Sequence, residues 1–231
     1  MTTLLAKRLA EVHRRIAAAA QDCGRRPEEI RLVAVSKTFP AEAVRQAAAA
    51  GVTEIGENYI QEAREKHDLL RDVPVKWHFI GHLQTNKAKY AARMFDLIHT
   101  VDSLRLALEL DRCARRLGKV QGVLIQVSLA GEETKSGVPA AEALPLVKAV
   151  AALECVRVQG LMTLPPFFNE PERVRPFFAE LRALRERIRE QAVPDVSMDE
   201  LSMGMTGDFE AAVAEGATLV RVGTAIFGER P

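Results

Sequence analysis

The stretch Leu32-Val33-Ala34-Val35-Ser36-Lys37-Thr38-Phe39-Pro40, followed by the alanine-rich segment 41–50 and Gly51, is one complete strand–turn–helix unit. Its apolar, β-branched run has the length and composition of a parallel strand buried on both faces. Phe39-Pro40 ends that run sharply, because the residue before a proline is restricted and the proline donates no hydrogen bond. A glycine just past the alanine-rich segment marks a helix stop.

The unit recurs to the end of the chain. Counting the first, apolar runs fall at 31–36, 54–56, 77–81, 97–101, 123–128, 158–161, 200–203 and 219–222. Helical patterns lie between them at 41–50, 58–70, 87–94, 103–117, 140–153, 172–191 and 208–215, and an amphipathic helix over 2–22 precedes them all, stopping at Cys23-Gly24. Asp102-Ser103 reads as a helix cap and Pro139 suits a first helical turn. Parallel strands need crossover connections, so this alternation predicts an α/β fold with a mostly parallel sheet. Eight units in 231 residues predict a single (β/α)8 TIM barrel with an extra N-terminal helix, one domain over 1–231; an open doubly wound sheet is the competing arrangement.

Composition narrows the function classes. Thirty-two Lys and Arg against 31 Asp and Glu leave a formal net charge of +1, so no global field favours nucleic acid or an anionic membrane. Cys23, Cys113 and Cys155 are far apart and form no CxxC or Cys/His spacing, which argues against a disulfide framework and a zinc site. The opening segment is charged too early for a secretory core, and no apolar stretch approaches the length of a membrane span. A reduced, cytoplasmic protein is expected.

Lys37 is the residue with the most chemistry in it. A lysine at the carboxyl end of the first strand stands on the rim where α/β folds build their sites. Partly desolvated, its amine can form a Schiff base with a carbonyl compound; taken alone, it is more simply a strand end reaching water. Two later segments add an anion site: Leu201-Ser202-Met203-Gly204-Met205-Thr206-Gly207-Asp208 and Arg221-Val222-Gly223-Thr224-Ala225-Ile226-Phe227-Gly228. Both put small or hydroxyl residues just after a strand, in the two loops where such barrels bind phosphate. Arg221 shares a strand face with Gly223 and, as a donor that keeps its proton, could face a pyridine nitrogen; an internal ion-pair arginine is the plainer reading. His78 and His82 lack a third ligand at useful spacing, so no metal is expected. Glu132-Glu133 and the helix over 182–190 read as solvated.

The strings Ala34-Val35-Ser36-Lys37-Thr38, Gly56-Glu57-Asn58-Tyr59-Ile60-Gln61-Glu62, Trp77-His78-Phe79-Ile80-Gly81-His82-Leu83-Gln84-Thr85-Asn86-Lys87 and Leu201-Ser202-Met203-Gly204-Met205 closely resemble the pyridoxal phosphate homeostasis protein family, in order, over about 31–227. The resemblance implies a barrel similar to the N-terminal domain of alanine racemase, with pyridoxal 5′-phosphate (PLP, a form of vitamin B6) held as a Schiff base. It assigns that bond to Lys37, phosphate binding to Ser202, Gly223 and Thr224, and the ring nitrogen to Arg221. Asn58 and Met162 match positions lining the pocket. Ser128 stands where the family usually has asparagine, and Thr206-Gly207-Asp208 varies a serine-containing string, while Glu133-x-Lys135-x-Gly137 matches.

The same resemblance implies a cofactor carrier without turnover, acting in PLP homeostasis and amino-acid and keto-acid balance. Its expected partners are PLP and PLP-dependent apoenzymes, with neither nucleic acid nor membrane, and its expected state is a monomer. The alternative is a PLP-dependent racemase-like enzyme; a sugar-phosphate or nucleotide enzyme using the same phosphate loops is a third. Two-base racemisation needs an acid/base opposite the lysine, and with only Tyr59 and Tyr90 and no second domain expected, the carrier is preferred.

Overall fold

Alternation along the strands divides the apolar residues between two cores, one inside the sheet and one outside it. The computed structural model describes residues 3–129, 136–166, 168 and 170–229. Parallel strands β1 (Arg31–Val35), β2 (Glu54–Glu57), β3 (Lys76–Phe79), β4 (Leu97–Val101), β5 (Gln121–Ser128), β7 (Val156–Thr163), β8 (Glu200–Ser202) and β9 (Leu219–Val222) form one sheet in the order β4-β3-β2-β1-β9-β8-β7-β5. A further pairing of β4 with β5 closes it into a (β/α)8 barrel. A two-residue strand, β6 (Val138–Pro139), adds onto the end of β5.

The outward faces carry Leu32, Ala34, Ile55, Trp77, Phe79 and Ile98, which pack under the surrounding helices. These are α2 (Ala41–Ala49), α3 (Ile60–Leu69), α4 (Ala88–Met94), α5 (Leu104–Arg116), α6 (Ala140–Ala151), α7 (Arg175–Glu190) and α8 (Phe209–Ala214). Inward-facing Val33, Leu97, Leu124, Met162 and Leu219 form a separate, smaller cluster. The interior also holds buried polar side chains: Glu54, His78, His99, Ser202 and Arg221.

The N-terminal helix α1 (Leu4–Asp22) is capped by the Thr3 side chain, which accepts from the Ala6 amide. Its buried stripe Leu9, Val12, Ile16 and Ala20 is spaced at three and four residues and packs on α8 and on α9 (Thr224–Phe227), a short helix that the apolar pattern does not announce. Ser103 caps α5 as its position predicts, accepting from the Leu106 amide. The weakest predicted strand, 54–56, is held by partners on both sides, Ile55 pairing with Ala34 and with Trp77. Among the described residues, no helix is long and apolar enough to cross a membrane.

Strand β7 passes so close to β8 that a Cβ on Gly160 would sit 1.9 Å from the Glu200 carbonyl oxygen. Gly160→Ala therefore forces the paired backbones apart. We expect it to lower unfolding stability by at least about 2 kcal/mol in urea titrations.

Candidate functional site

The first strand stops at Val35 and delivers Ser36, Lys37 and Thr38 onto the carboxyl rim of the barrel. Lys37 is half-buried there. The turn is strained, since Thr38, a β-branched residue, has φ of +69°. Two anchors hold it. The Thr38 amide donates to Glu62 of α3 at 2.8 Å. Lys66, also on α3, donates to the Ser36 carbonyl at 2.7 Å and to Glu57 Oε1 at 2.6 Å, and the Ser36 hydroxyl donates to the same carboxylate oxygen at 2.6 Å. Glu57 is fully buried and Lys66 nearly so. Burial pushes the Glu57 carboxyl up from its ordinary value, while Lys66 and Ser36 pull the other way. A buried ion pair therefore grips the backbone directly before Lys37.

The last strand supplies the opposite wall. Gly223 follows β9 beside β1; a Cβ on it would come within 3.3 Å of the Val35 carbonyl oxygen. Its amide donates to Thr206 Oγ1 at 3.4 Å, which joins the two loops where an anion is expected. Gly204, at φ +90°, lets the β8 loop turn against α8, where a Cβ would meet Ala212 at 2.6 Å. Phe39, just past the lysine turn, stacks on Phe227 of α9 with ring centroids 5.3 Å apart. The Lys37 turn and the 223–227 segment are thus packed directly together.

Arg221 points into the barrel. It donates to Ser202 Oγ at 2.5 Å and to the Thr163 carbonyl at 2.9 Å. Burial lowers its pKa to about 10, partly opposed by Asp208, so it stays a cation at neutral pH. Met162 pairs in register with Ser202 and is wholly buried. Asn58, at the end of β2, is partly buried, and its side-chain oxygen has no hydrogen-bond partner among the described residues. Thr224 is exposed on the rim next to Gly223.

Five of the sequence-predicted residues therefore share one end of the barrel: Lys37, Asn58, Arg221, Gly223 and Thr224. Ser202 and Met162 sit inside it. Ser202, expected at the phosphate, has its hydroxyl against Arg221 and His99 inside the barrel; Thr206, outside the expected set, holds a hydroxyl beside Gly223. His78 and His82 do not meet: His78 faces His99, whereas His82 bonds Ser136 at 3.0 Å. No group of three metal-binding side chains occurs among the described residues. Glu132, Glu133 and Lys135 lie outside the described residues. His99 escapes the motif reading; its signal is a polar residue in phase with Leu97 on the inward face of a buried strand.

The family model of the alanine racemase N-terminal domain matches residues 8–231. Pyridoxal phosphate homeostasis protein of Aquifex aeolicus is 44% identical over 224 residues, 97% of each chain. That of Escherichia coli K12 is 45% identical over 237 residues, covering 98% of this chain and 97% of its own. The chain belongs to the pyridoxal phosphate homeostasis protein family. PipY of Synechococcus elongatus PCC7942, solved with PLP bound, superposes with a TM-score of 0.85 at 39% identity over 97% of this chain and all of its own. Alanine racemase of Clostridium difficile 630 shares the fold, with a TM-score of 0.69 at 16% identity; the match covers 95% of this chain and 57% of the racemase.

Removing one partner of the Glu57–Lys66 pair leaves the other charge buried alone. Lys66→Met is expected to cost about 3–5 kcal/mol in chemical denaturation, and the double variant with Glu57→Leu clearly less than the sum of the singles. His99 is expected to set acid stability. Burial first, then His78, Arg221 and Arg31, holds its pKa well below the usual 6.5. The unfolded chain then binds the extra proton, so stability is full above about pH 6.5 and falls below it, by up to about 1.4 kcal/mol per pH unit. Urea midpoints measured between pH 8 and pH 5 should show that slope, reduced in His99→Gln.

Proposed function

We propose that this protein binds PLP at Lys37 and serves in PLP homeostasis as a cofactor carrier, without catalytic turnover. The reading rests on one observation above all: the half-buried Lys37 turn is packed against the Gly223–Thr224 segment, with Arg221 just inside the same rim. Relatives named pyridoxal phosphate homeostasis protein, at 44% and 45% identity, and a PLP-bound structural neighbour support it.

The residues present fit such a ligand. Asn58 offers a buried side-chain oxygen with no partner among the described residues. Gly223 keeps open a space that a Cβ would narrow against β1. The donor set is that of a phosphopyridine: an amine, an obligate-donor guanidinium, hydroxyls and backbone amides. Bound there, the cofactor supplies an aldehyde for Schiff-base formation and a pyridine ring as electron sink.

In this reading Lys37 provides the amine. Thr206, Gly223 and Thr224 hold the phosphate, the first amides after β9 being without intrahelical partners. Arg221 donates to the ring nitrogen and, being unable to give up its proton, keeps that sink weak. Ser202 orients Arg221, and Asn58 and Met162 line the pocket. Neither tyrosine supports a racemase: Tyr90 lies on α4 with Arg64 and Lys89 over its ring, and Tyr59 is mostly exposed. The carrier acts as a cytoplasmic monomer that supplies apoenzymes.

Borohydride reduction after incubation with PLP, followed by peptide mapping, tests this directly. The expected result is a pyridoxyl label on the Lys37 peptide, lost in Lys37→Ala, which retains weaker PLP binding through Thr206, Gly223 and Thr224. A label elsewhere, or sustained amino-acid racemisation that disappears in Lys37→Ala, would overturn the carrier reading.

A further inference from the structure

Behind Arg221, a file of polar side chains crosses the barrel interior from the carboxyl rim to the opposite one. Arg221 donates to Ser202 Oγ; Ser202 Oγ lies 2.8 Å from His99 Nδ1; His99 Nε2 lies 2.9 Å from His78 Nδ1. His78 Nε2 is 3.2 Å from Glu54 Oε2, an ion-pair distance, and neither atom has a hydrogen-bond partner among the described residues. Glu54 Oε1 is 3.3 Å from Arg31, whose other nitrogen is 2.7 Å from Glu200 at the far rim. The members come from six strands, and those from Arg221 to Glu54 are at most 5% exposed.

The donors and acceptors allow only one economical arrangement of protons. Arginine can only donate, so Ser202 accepts from it. The single serine proton then goes to His99 Nδ1. His99 therefore carries its proton on Nε2 and donates to His78 Nδ1, and His78 carries its own on Nε2, facing Glu54. In this arrangement each ring carries one proton, and every donor points from the cation towards the carboxylate. The groups facing the two histidines are Glu54 on β2, Arg31 on β1, Ser202 on β8 and Arg221 on β9. Burial and the two arginines disfavour protonation of His99, consistent with this arrangement. Glu54 is held ionised: burial opposes this, but His78, Arg31 and Lys76 together outweigh it.

We infer that His99 and His78, anchored by Glu54, are positioning residues for Arg221: the file fixes Ser202 as an acceptor, turns the remaining guanidinium N–H bonds towards the cofactor ring, and sets how strongly they polarise it. The inference rests on the reading of Arg221 as the partner of the ring nitrogen. A neutral serine alone would orient the arginine; a file ending in a carboxylate also tempers its charge, since bonds in a chain polarise one another. Neutralising Glu54 then leaves Arg221 more electropositive towards the ring, and the bound cofactor gives up its proton at lower pH.

Two measurements test this. In ¹⁵N spectra of the cofactor-free wild-type protein at pH 7.5, both imidazoles should be neutral with the proton on Nε2; a proton on Nδ1, or a doubly protonated ring, would overturn the file. In the PLP-loaded protein, Glu54→Gln should lower the midpoint of the pH-dependent absorption change of the bound cofactor by about 0.5–1 pH unit, while Glu54→Asp stays near wild type. Borohydride labelling of Lys37 in each variant shows that the site itself is intact. Unchanged midpoints in labelled Glu54→Gln would reduce the file to core packing, which alters unfolding stability but not this titration. A wild-type label away from Lys37 would overturn the cofactor reading and this inference with it, an outcome distinct from an unmoved midpoint on a labelled Lys37.

Discussion

A guanidinium buried inside a closed barrel must be compensated, and much of this molecule's interior answers that requirement. Arg221 is 3% exposed. Leaving such a charge unpaired would cost several kcal/mol. No carboxylate among the described residues bonds it directly. Instead, it donates to a carbonyl and a hydroxyl, Asp208 favours its charge, and the hydroxyl leads on through His99 and His78 to Glu54. That is why a barrel interior that could have been filled with Val, Ile and Leu is only partly so, with an apolar cluster of five residues beside the polar file.

A second buried charge pair does a different task. Glu57 and Lys66 lie outside the barrel wall, between β2 and α3; Lys66 donates to the Ser36 carbonyl and Glu57 accepts from the Ser36 hydroxyl. Adjacent strand residues point to opposite faces, so Gly56 belongs to the interior and Glu57 to the helix layer. The Lys37 turn is therefore held from the helix side, while Arg221 is held from the barrel side. Lys37 on the rim and Arg221 just inside it have independent supports, and the Phe39–Phe227 stack ties the first and last strand ends together.

On the proposed reading, this division suits binding and release of a cofactor better than turnover. A weak electron sink at Arg221 and a firmly held lysine turn would hold an aldehyde on the barrel's own rim. The shared fold with alanine racemase, at 16% identity over just over half of that enzyme, says that the scaffold is common, not the chemistry.

The chain's alternation of apolar runs and helical segments was enough to count eight strands, place their rims and rank Lys37 first, because strand composition and turn residues are local properties. Local pattern also marked Gly223 and Thr224, whose position after the last strand is a matter of order along the chain. It could not separate Ser202 from Thr206, two hydroxyls in one short string, since which of them faces inward depends on where β8 ends and how Gly204 turns. Nor could it join His78, His99 and Glu54, which are 21 to 45 residues apart in sequence and come together only when the sheet closes. Barrel closure decides which residues share the interior, and that is set by strand register and stagger around the whole ring, a property no single segment carries.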